Sequence, residues 1–321
     1  MKPGNQTVTT HFLLVGFAFQ GEMQFLFFML ISVMFLAILI GNSLIVVMTT
    51  TDPLLHTPMY YFLKNLALTE ICYSLSIVPK MLTILLVERK RISFTACALQ
   101  LNCVILFVSC ECFLLGVMAY DRQAAICHPL HYATMMNRDR CFKMVVGSWL
   151  SGVPVALGFT MWLFTLPFCR RNVVDHFFCD VPPVLKLVCA DTALFELLIF
   201  IAIVIIVMIP FSLIAISYFH IIHAILQIPS VVGRKQAFST CAAHLVVVTL
   251  FYSTAGIIHL RPKSSLSSNM KKMVSLFYSV VTPMLNPIIY SLRNQEVKQS
   301  LRRCIDKWLL RKQTDIFSLS R

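Results

Sequence analysis

The chain is dominated by seven apolar segments, each long enough to cross the hydrocarbon core of a bilayer, which takes about 20 residues of α-helix. They lie at 23–51, 58–86, 92–120, 144–169, 197–233, 236–260 and 273–292. Only two of them contain charged residues, Lys64, Glu70 and Lys80 in the second and Glu111 in the third. Both lysines are close enough to their segment's ends for the amines to reach the interface. The pattern predicts an all-α, multi-pass membrane protein.

The composition excludes most soluble classes of protein. Hydrophobic residues make up 58% and charged residues 13%, against about 45–50% and about 25% in typical soluble domains. A soluble enzyme, a disordered chain and a collagen-like fibre are therefore excluded. The chain has a net charge of +13, and its densest group of basic residues follows the last apolar segment, where basic residues meet anionic lipid or an acidic protein partner. We expect membrane lipid, and no nucleic acid, as a partner.

The segments predict a seven-transmembrane helix bundle at 23–292 between two tails. The expected spans are about 23–50, 58–86, 93–121, 142–166, 195–226, 236–260 and 272–292. The tails are an extracellular one at 1–22 and a cytoplasmic basic one at 293–321, with a short amphipathic helix after the seventh span. A small excess of Lys and Arg on the cytoplasmic side supports this orientation. The glycosylation sequon at Asn5 also favours an extracellular N-terminus.

Four cysteines are expected on the outer side of the membrane. Cys97 opens the third span, and Cys169, Cys179 and Cys189 share the long loop after the fourth. Because extracellular loops are oxidising, we expect two disulfides among these four thiols. The sequence alone permits three pairings. Most of the remaining cysteines lie in or near spans, where cysteine is usually an apolar packing residue.

Four polar residues lie inside the predicted bundle. They are Asn42 in the first span, Glu70 in the second, Glu111 in the third and Asn286 in the seventh. A bare carboxylate is disfavoured in hydrocarbon, so each acid needs a proton, a cation or hydrogen-bond donors. Two hypotheses remain open, a shared polar or sodium-binding centre and a purely structural hydrogen-bonded network. Apart from a possible sodium ion at Glu70 and Glu111, we expect no metal and no cofactor.

The dipeptide Asp121-Arg122 places opposite charges at the inner end of the third span. Such a pair can act as a latch, in which Asp121 neutralises Arg122 in one state and releases it toward another partner when helices move. On its own the dipeptide is a weak signal, and its context decides how it is interpreted.

That context is a series of motifs in a fixed order. They are Gly41-Asn42, LHTPMYYFL at 55–63, PKML at 79–82, MAYDRQAAICHPLHY at 118–132, KQAFSTCAAHL at 235–245 and PMLNPIIYSLRN at 283–294. Together they resemble the olfactory receptors, the odorant-sensing branch of the rhodopsin-like G-protein-coupled receptors. The resemblance extends over nearly the whole chain.

The resemblance implies roles for individual residues. It implies disulfides between Cys97 and Cys179 and between Cys169 and Cys189, which tie the long outer loop over the ligand site. It also implies a set of coupling and switch residues: Asp121, Arg122, Tyr218, Asn286, Pro287 and Tyr290. The chain departs from the usual family pattern at four positions: Glu70 in place of Asp, Gln123 in place of Tyr, Ser253 in place of Gly and His259 in place of Tyr.

Helical spacing predicts the wall of a ligand cavity. In the third span, residues 104, 105, 108, 109 and 112 share one face, and Glu111 lies deeper in the bundle. In the sixth, Tyr252, Ala255 and His259 form an inward stripe. The predicted wall is Val104, Ile105, Val108, Ser109, Ala202, Ile203, Ile206, Phe251, Tyr252, Ala255 and His259. A mostly aliphatic wall with one hydroxyl, one phenol and one imidazole suits a small, largely apolar molecule with one or two hydrogen-bonding groups.

The resemblance implies an odorant receptor of the plasma membrane rather than an enzyme. An odorant would favour the active arrangement of the helices, and a stimulatory, olfactory-type heterotrimeric G protein would then raise cyclic AMP. The alternative is a membrane transporter or channel, which would need several charged residues along a continuous path, whereas only Glu70 and Glu111 lie deep in the bundle. An intramembrane enzyme is disfavoured because the chain has no HExxH, GxSxG or Walker-type motif.

Overall fold

The computed structural model describes residues 10–17, 21–87, 90–169, 172–259, 267–293 and 297–303. Six long helices are α1 (Glu22–Thr51), α2 (Pro58–Leu86), α3 (Phe94–Cys127), α4 (Arg138–Thr165), α5 (Ala193–Leu226) and α6 (Val231–His259). The seventh, α7, joins Ser268–Leu276, a π-helical turn at Phe277–Val281 and Thr282–Arg293. Two short helices, Tyr132–Met135 and Val181–Leu185, lie in the loops that precede α4 and α5. In the described part, six helices are long and apolar enough to span a membrane, and α6 contains a shorter apolar stretch, Cys241–Ile257.

Polar capping residues fix where several helices begin. The Ser93 hydroxyl accepts from the backbone N–H of Ala96 (3.2 Å) at the start of α3. The Asn137 amide oxygen accepts from the N–H of Arg140 (2.9 Å) at the start of α4. Each bond satisfies an N–H group that has no partner within its own helix. The helices α4, α5, α6 and α7 begin a few residues before their predicted spans, whereas α2 has the bounds that the sequence predicts.

The third helix differs most from its predicted span at the cytoplasmic end. The sequence predicts an end near residue 121, but α3 continues to Cys127 and His128 occupies the C-cap position. No proline interrupts the chain until Pro129, so the helix can continue beyond the apolar segment. Asp121 and Arg122 consequently lie within a helix.

A small three-stranded sheet covers the outer end of the bundle. Strand β1 (His11–Leu14) is central, antiparallel to β2 (Arg91–Ser93) and parallel to β3 (Val173–Val174). Phe12 is fully buried and packs against an aromatic cluster of Phe94, Phe164 and Phe168, with ring centroids 5.9, 6.4 and 5.5 Å away. The sequence analysis treated 1–22 as a tail, whereas residues 11–14 form a strand. Asn5 lies outside the described residues.

Two disulfides connect the outer loop to the bundle, and they are the pairs that the resemblance implies. Cys97 at the start of α3 is bonded to Cys179, and Cys169 is bonded to Cys189. The first bond joins residues 82 apart in sequence and holds the loop against α3. The second closes a loop within the segment between α4 and α5.

The segment after α7 returns to the inner end of α1. Residues 297–303 are helical, and Val297 is buried in the same hydrophobic cluster as Tyr290. Arg303 donates to the Asp52 carboxylate through Nη2 (2.7 Å) and Nε (3.2 Å). These bonds hold the pKa of Asp52 down at about 2, well below its ordinary value. The chain beyond 303 lies outside the described residues, so the predicted amphipathic helix stays a prediction.

Glycines allow the helices to approach one another closely. A Cβ placed on Gly152 of α4 would lie 2.9 Å from Ser109 Cβ and 3.0 Å from the Leu106 carbonyl oxygen on α3. A Cβ on Gly41 of α1 would lie 2.9 Å from Pro287 of α7. The positions therefore need a residue without a side chain. Gly147, also on α4, would meet no atom within 4 Å.

We expect Gly152→Ala to destabilise the protein, because the added methyl group must push α3 and α4 apart at a cost of about 1–3 kcal/mol. Gly147→Ala is the matched control on the same helix, and it should be neutral or stabilising by about 0.5–1 kcal/mol because alanine favours the helix. The measurement is the Tm of the purified protein in detergent. Equal Tm values for the two variants would contradict this close packing of α3 and α4.

Candidate ligand cavity and coupling site

A cavity of about 1090 Å³ lies in the outer half of the bundle. It lies between α3, α5, α6, α7 and the outer loop. Many residues of the predicted wall line it: Val104, Ile105, Val108, Ser109, Ile203, Ile206, Phe251 and Ala255. They form its deep, mostly aliphatic part.

Two predicted wall residues are placed differently, and a third lies outside the described side chains. Ala202 is half-buried on α5 and is not among the described residues that line the cavity. The reason is helical phase, since Ile203 and Ile206 share the inward face and Ala202 lies to one side of it. Tyr252 faces a smaller pocket between α5 and α6. The side chain of His259 lies outside the described part, so its hydrogen-bonding role stays a prediction.

The sequence analysis missed the titratable residues at the outer mouth of the cavity. Those that line it are Asp175, His176, Asp180, Lys186, Glu196 and Lys271. The loop residues among them lie between Cys169 and Cys189, and the disulfides hold this segment over the bundle. The sequence could have indicated this charged mouth. The loop between Cys169 and Cys189 contains charged residues, and disulfides were predicted to hold it over the ligand site. The cavity is consequently apolar at its base and charged at its mouth.

The four polar residues of the bundle interior lie close to one another. Glu70 is buried and accepts a hydrogen bond from the Asn286 side-chain amide. Asn42 interacts with Glu70 and also donates to the Pro283 carbonyl of α7 (3.4 Å). Glu111 is buried within electrostatic range of Glu70. The chain therefore gathers two acids and two amides from four helices at one depth.

Several oxygens of this polar centre have no hydrogen-bond partner among the residues that the structure describes. They are Oε1 of Glu111, Oδ1 of Asn286 and the hydroxyl of Tyr290. An orphaned buried oxygen is costly unless a proton, a water or a cation satisfies it. No cluster of three or more His, Cys, Asp or Glu that could hold a metal occurs within the described ranges. A cation here would be held by carboxylate and amide oxygens together, which suits a hard ion.

The coupling residues at the inner end make bonds that the sequence did not predict. Asp121 is buried and accepts from the Tyr132 hydroxyl (2.9 Å), and the Arg122 guanidinium contacts the Met59 sulfur. The expected direct pair of Asp121 with Arg122 is not formed among the described ion pairs. Adjacent residues of a helix point in different directions, so once α3 continues past residue 121 the two side chains face different neighbours.

His244 was missed as part of the coupling site. Its Nε2 lies 3.1 Å from the Leu115 carbonyl oxygen and its Nδ1 lies 2.8 Å from the Tyr218 hydroxyl. A carbonyl can only accept, so Nε2 carries the proton and Nδ1 accepts from Tyr218. This buried ring joins α3, α5 and α6. The sequence analysis gave His244 no role of its own, although it lies in the motif at 235–245.

Comparison with known proteins identifies the family. A family model described as "Olfactory receptor" matches residues 31–312. Human olfactory receptor 10A7 is 52% identical over 313 residues, which cover 98% of this chain and 99% of that protein. Human olfactory receptors 10A5 and 10C1 are 52% and 48% identical over 96% and 94% of this chain and over 98% and 97% of their own lengths.

The chain belongs to the olfactory receptor family. It is therefore a multi-pass membrane protein and an odorant receptor of the G-protein-coupled class, and it is not an enzyme. The family assigns a seven-helix bundle, in which α6 with its shorter apolar stretch counts as the remaining span.

An ion pair holds the receptor's outer loop to α7 and to the N-terminal segment. Lys272 is buried, forms an ion pair with Asp175 and donates to the Gly16 carbonyl (3.0 Å). The Ser268 hydroxyl donates to the other Asp175 oxygen (2.5 Å). Burial alone would raise the pKa of Asp175, but the bonds from Lys272 and Ser268 hold it below its usual value. The bonds join the segment that follows β1, the outer loop and α7 at the mouth of the cavity.

Two neighbouring loop residues have pKa values shifted by burial in opposite senses. Burial lowers the pKa of His176 to about 4, and the Lys272 ammonium lowers it further while Asp175 opposes this. Burial raises the pKa of Asp180 to about 6, although the hydrogen bond that its carboxylate accepts from the Val181 N–H (2.8 Å) lowers it. At neutral pH the receptor therefore buries a neutral imidazole beside an ion pair.

We expect the two residues to change the pH dependence of stability in opposite directions. Between pH about 6.5 and 4 the unfolded chain binds more protons at His176 than the folded one, so acidification costs stability there. Between pH about 6 and 3.8 the folded state binds more protons at Asp180, so acidification adds stability. Relative to the parent, the Tm of His176→Gln should rise by about 2–6 °C as the pH falls through its window.

Asp180→Asn serves as the matched variant for this prediction. Its Tm relative to the parent should fall as the pH decreases from about 6 toward 3.8, because only the parent gains stability from protonating Asp180. The measurement is thermal unfolding of the purified receptor from pH 7 to 4. If the Tm differences of the two variants from the parent changed in the same direction with pH, or did not change, the burial of His176 and Asp180 and their shifted pKa values would be contradicted.

Proposed function

We propose that this receptor binds small, mostly apolar odorants in the 1090 Å³ cavity and activates a stimulatory, olfactory-type G protein at the plasma membrane, raising cyclic AMP. The observation that carries the proposal is the aliphatic base of the cavity beneath a disulfide-anchored loop. Ligand pockets are typically about 300–1,000 Å³, so the cavity can enclose a volatile molecule completely. Burial of apolar surface then supplies most of the binding free energy.

The hydroxyls at the base favour odorants that donate a hydrogen bond. Ser109 donates to the Ile105 carbonyl (2.7 Å) on its own helix. Thr254 donates to carbonyls of its own helix as well, those of Leu250 (2.9 Å) and Phe251 (2.8 Å). Each hydroxyl has one proton and uses it on a carbonyl of its own helix. Its lone pairs remain free, so toward a ligand it acts as a hydrogen-bond acceptor. An alcohol satisfies them, whereas an ether or an ester cannot.

Activation would follow from movement of α6 against α3 and α5. An odorant that binds one arrangement more tightly shifts the population toward it by that difference in affinity. Phe251 and Ala255 line the cavity. His244 lies on the same helix, two turns before Phe251 and therefore closer to the inner end. An outward movement of α6 would break the bonds of His244 to Leu115 and Tyr218 and open the inner face around Arg122. The basic segments beyond α5 and α7 would then meet the G protein and anionic lipid.

The polar centre fits a sodium ion or a proton that responds to this movement. Glu70 and Glu111 would hold the cation, with the side-chain oxygen of Asn286 as a further ligand. The orphaned oxygens of Glu111 and Asn286 support this assignment. The ion would neutralise the buried acids, which otherwise repel each other in a medium of low dielectric constant. A change in the distance between α2, α3 and α7 would alter its binding.

The central test is a cyclic AMP assay in cells that express the receptor with an olfactory-type stimulatory G protein. A chemically broad odorant panel should contain agonists, and Arg122→Ala should abolish their responses at equal surface expression. Arg91→Ala, an exposed arginine of the outer strand β2, should respond like the parent. A silent panel, or a response that survives Arg122→Ala, would contradict the proposed coupling.

A second prediction concerns the class of odorant. Ser109→Ala should reduce the potency of alcohol agonists by about threefold to tenfold, which corresponds to about one hydrogen bond. The potency of the corresponding methyl ethers should stay unchanged. Ser151→Ala is the matched control, because this α4 hydroxyl also donates to a helix carbonyl, that of Ser148 (2.8 Å), and does not line the described cavity. Equal losses for alcohols and ethers would refute the acceptor role of Ser109.

A further inference from the structure

A second, smaller pocket lies between α5 and α6. Its volume is about 160 Å³. The residues that line only this pocket are Val204, Met208, Phe211, Tyr252 and Gly256. The lining contains no charged side chain, and the Tyr252 hydroxyl is its one side-chain polar group. That hydroxyl is buried and has no hydrogen-bond partner within the described part of the chain.

The small pocket is continuous with the odorant cavity. Phe200, Ile203, Val207 and Ala255 line both. One side of these four residues therefore faces the base of the cavity, and the other faces the cleft between the helices. A molecule in the small pocket is separated from the cavity by no more than these side chains, and exposed or half-buried side chains change rotamers rapidly.

The small pocket opens toward the lipid. Phe200, Met208 and Phe211 are 49%, 44% and 41% exposed although they lie within a 34-residue apolar helix. In a membrane such side chains contact acyl chains. The cleft exists because α5 packs mainly on α3 and makes fewer contacts with α6. The mouth of the pocket is therefore apolar, in contrast to the charged mouth under the outer loop.

The size of the small pocket suits a benzene-sized molecule. Apolar protein cavities of about 150 Å³ stay dry and bind benzene or xenon. A water molecule would make few hydrogen bonds in the small pocket, because the Tyr252 hydroxyl is the one polar side-chain group of the lining. A small uncharged molecule already dissolved in the bilayer loses no hydrogen bonds when it enters. These are the properties of apolar odorants.

We infer that the cleft between α5 and α6 is a second binding site, for small uncharged aromatic or alkyl molecules, through which they pass from the bilayer into the main cavity. The identity of the occupant as an odorant rests on the proposed function. Molecules with charged or strongly polar groups enter instead between Asp175 and Lys271 at the outer mouth. The unpaired Tyr252 hydroxyl offers a hydrogen bond to the single polar group of a passing molecule.

Photolabelling tests this site without any signalling step. The purified receptor in lipid nanodiscs is irradiated with phenyl(trifluoromethyl)diazirine, a small apolar probe that dissolves in the bilayer, and adducts are located by mass spectrometry. We expect labelling of Val204 and Met208 in excess of Ile205 and Ile209, which lie on the same helix, are 50% and 56% exposed to lipid and line neither pocket. Labelling should also reach Val108 in the main cavity. Uniform labelling of the lipid face with none at Val108 would overturn the inference.

A bulky side chain in the cleft should block the passage. When the probe is added and photolysed by a flash before it equilibrates, Met208→Trp should reduce labelling of Val108 by about tenfold, because restricted access slows association without changing the equilibrium occupancy. Ile209→Trp, the adjacent lipid-facing substitution, should leave it unchanged. Val204→Trp is the second blocking variant and is used if Met208→Trp lowers the Tm of the receptor. Equal labelling of Val108 in the blocking and control variants would also overturn the inference.

The kinetics of the response separate this inference from the proposed function. With an apolar agonist from the panel, Met208→Trp should slow the onset and the decay of the cyclic AMP signal to the same degree and leave the half-maximal concentration unchanged. This follows because Met208 does not line the main cavity. A panel without agonists would refute the proposed function and leave the photolabelling result standing. Labelling that fails in a responsive receptor would refute the entrance alone.

Discussion

The Cys97–Cys179 disulfide is the constraint on which the outer half of this receptor depends. It fixes a loop from between α4 and α5 to the first turn of α3, the helix around which α2, α4 and α5 pack. From that point β3 pairs with the N-terminal strand, and Asp175 reaches the buried Lys272 of α7. Each contact is weak compared with a covalent bond, and each becomes favourable because the disulfide has already removed most of the loop's conformational freedom. The roof of the cavity, and the charges at its mouth, follow from this single bond.

The inner half is organised by hydrogen bonds in an environment where unpaired polar groups are costly. Hydrophobic burial does not hold helices together in lipid, so small residues and buried polar contacts determine their packing. Gly41 against Pro287 and Gly152 against Ser109 bring the backbones together, and Asn286 joins α7 to Glu70 of α2. His244 bonds two helices besides its own. Such bonds can be exchanged for others when helices move, which is what a receptor that changes state requires.

The sequence predicted the helices well because a bilayer imposes a length and a composition that can be counted. It also predicted from helical spacing that Val104, Ile105, Val108 and Ser109 share one face of α3. All four line the cavity. It was less successful where contacts cross between elements. Ala202 was included in the predicted wall beside Ile203, but a step of one residue turns the side chain about 100° around the helix, so the two cannot both face the cavity directly. The bonds of His244, the strand His11–Leu14 and the charged mouth depend on partners distant in sequence, and no local periodicity reports them.

The two openings of the cavity have opposite chemistry, and this difference bears on selectivity. An odorant reaches the bilayer according to its partition coefficient, so the effective concentration at an apolar entrance rises with hydrophobicity while the concentration at the charged mouth does not. The base of the cavity favours a hydrogen-bond donor, because Ser109 and Thr254 use their own protons on helix carbonyls. Delivery through the membrane and recognition at the base therefore select for different properties of one molecule. A short alcohol with an apolar body satisfies both, and neither a charged solute nor a plain hydrocarbon does.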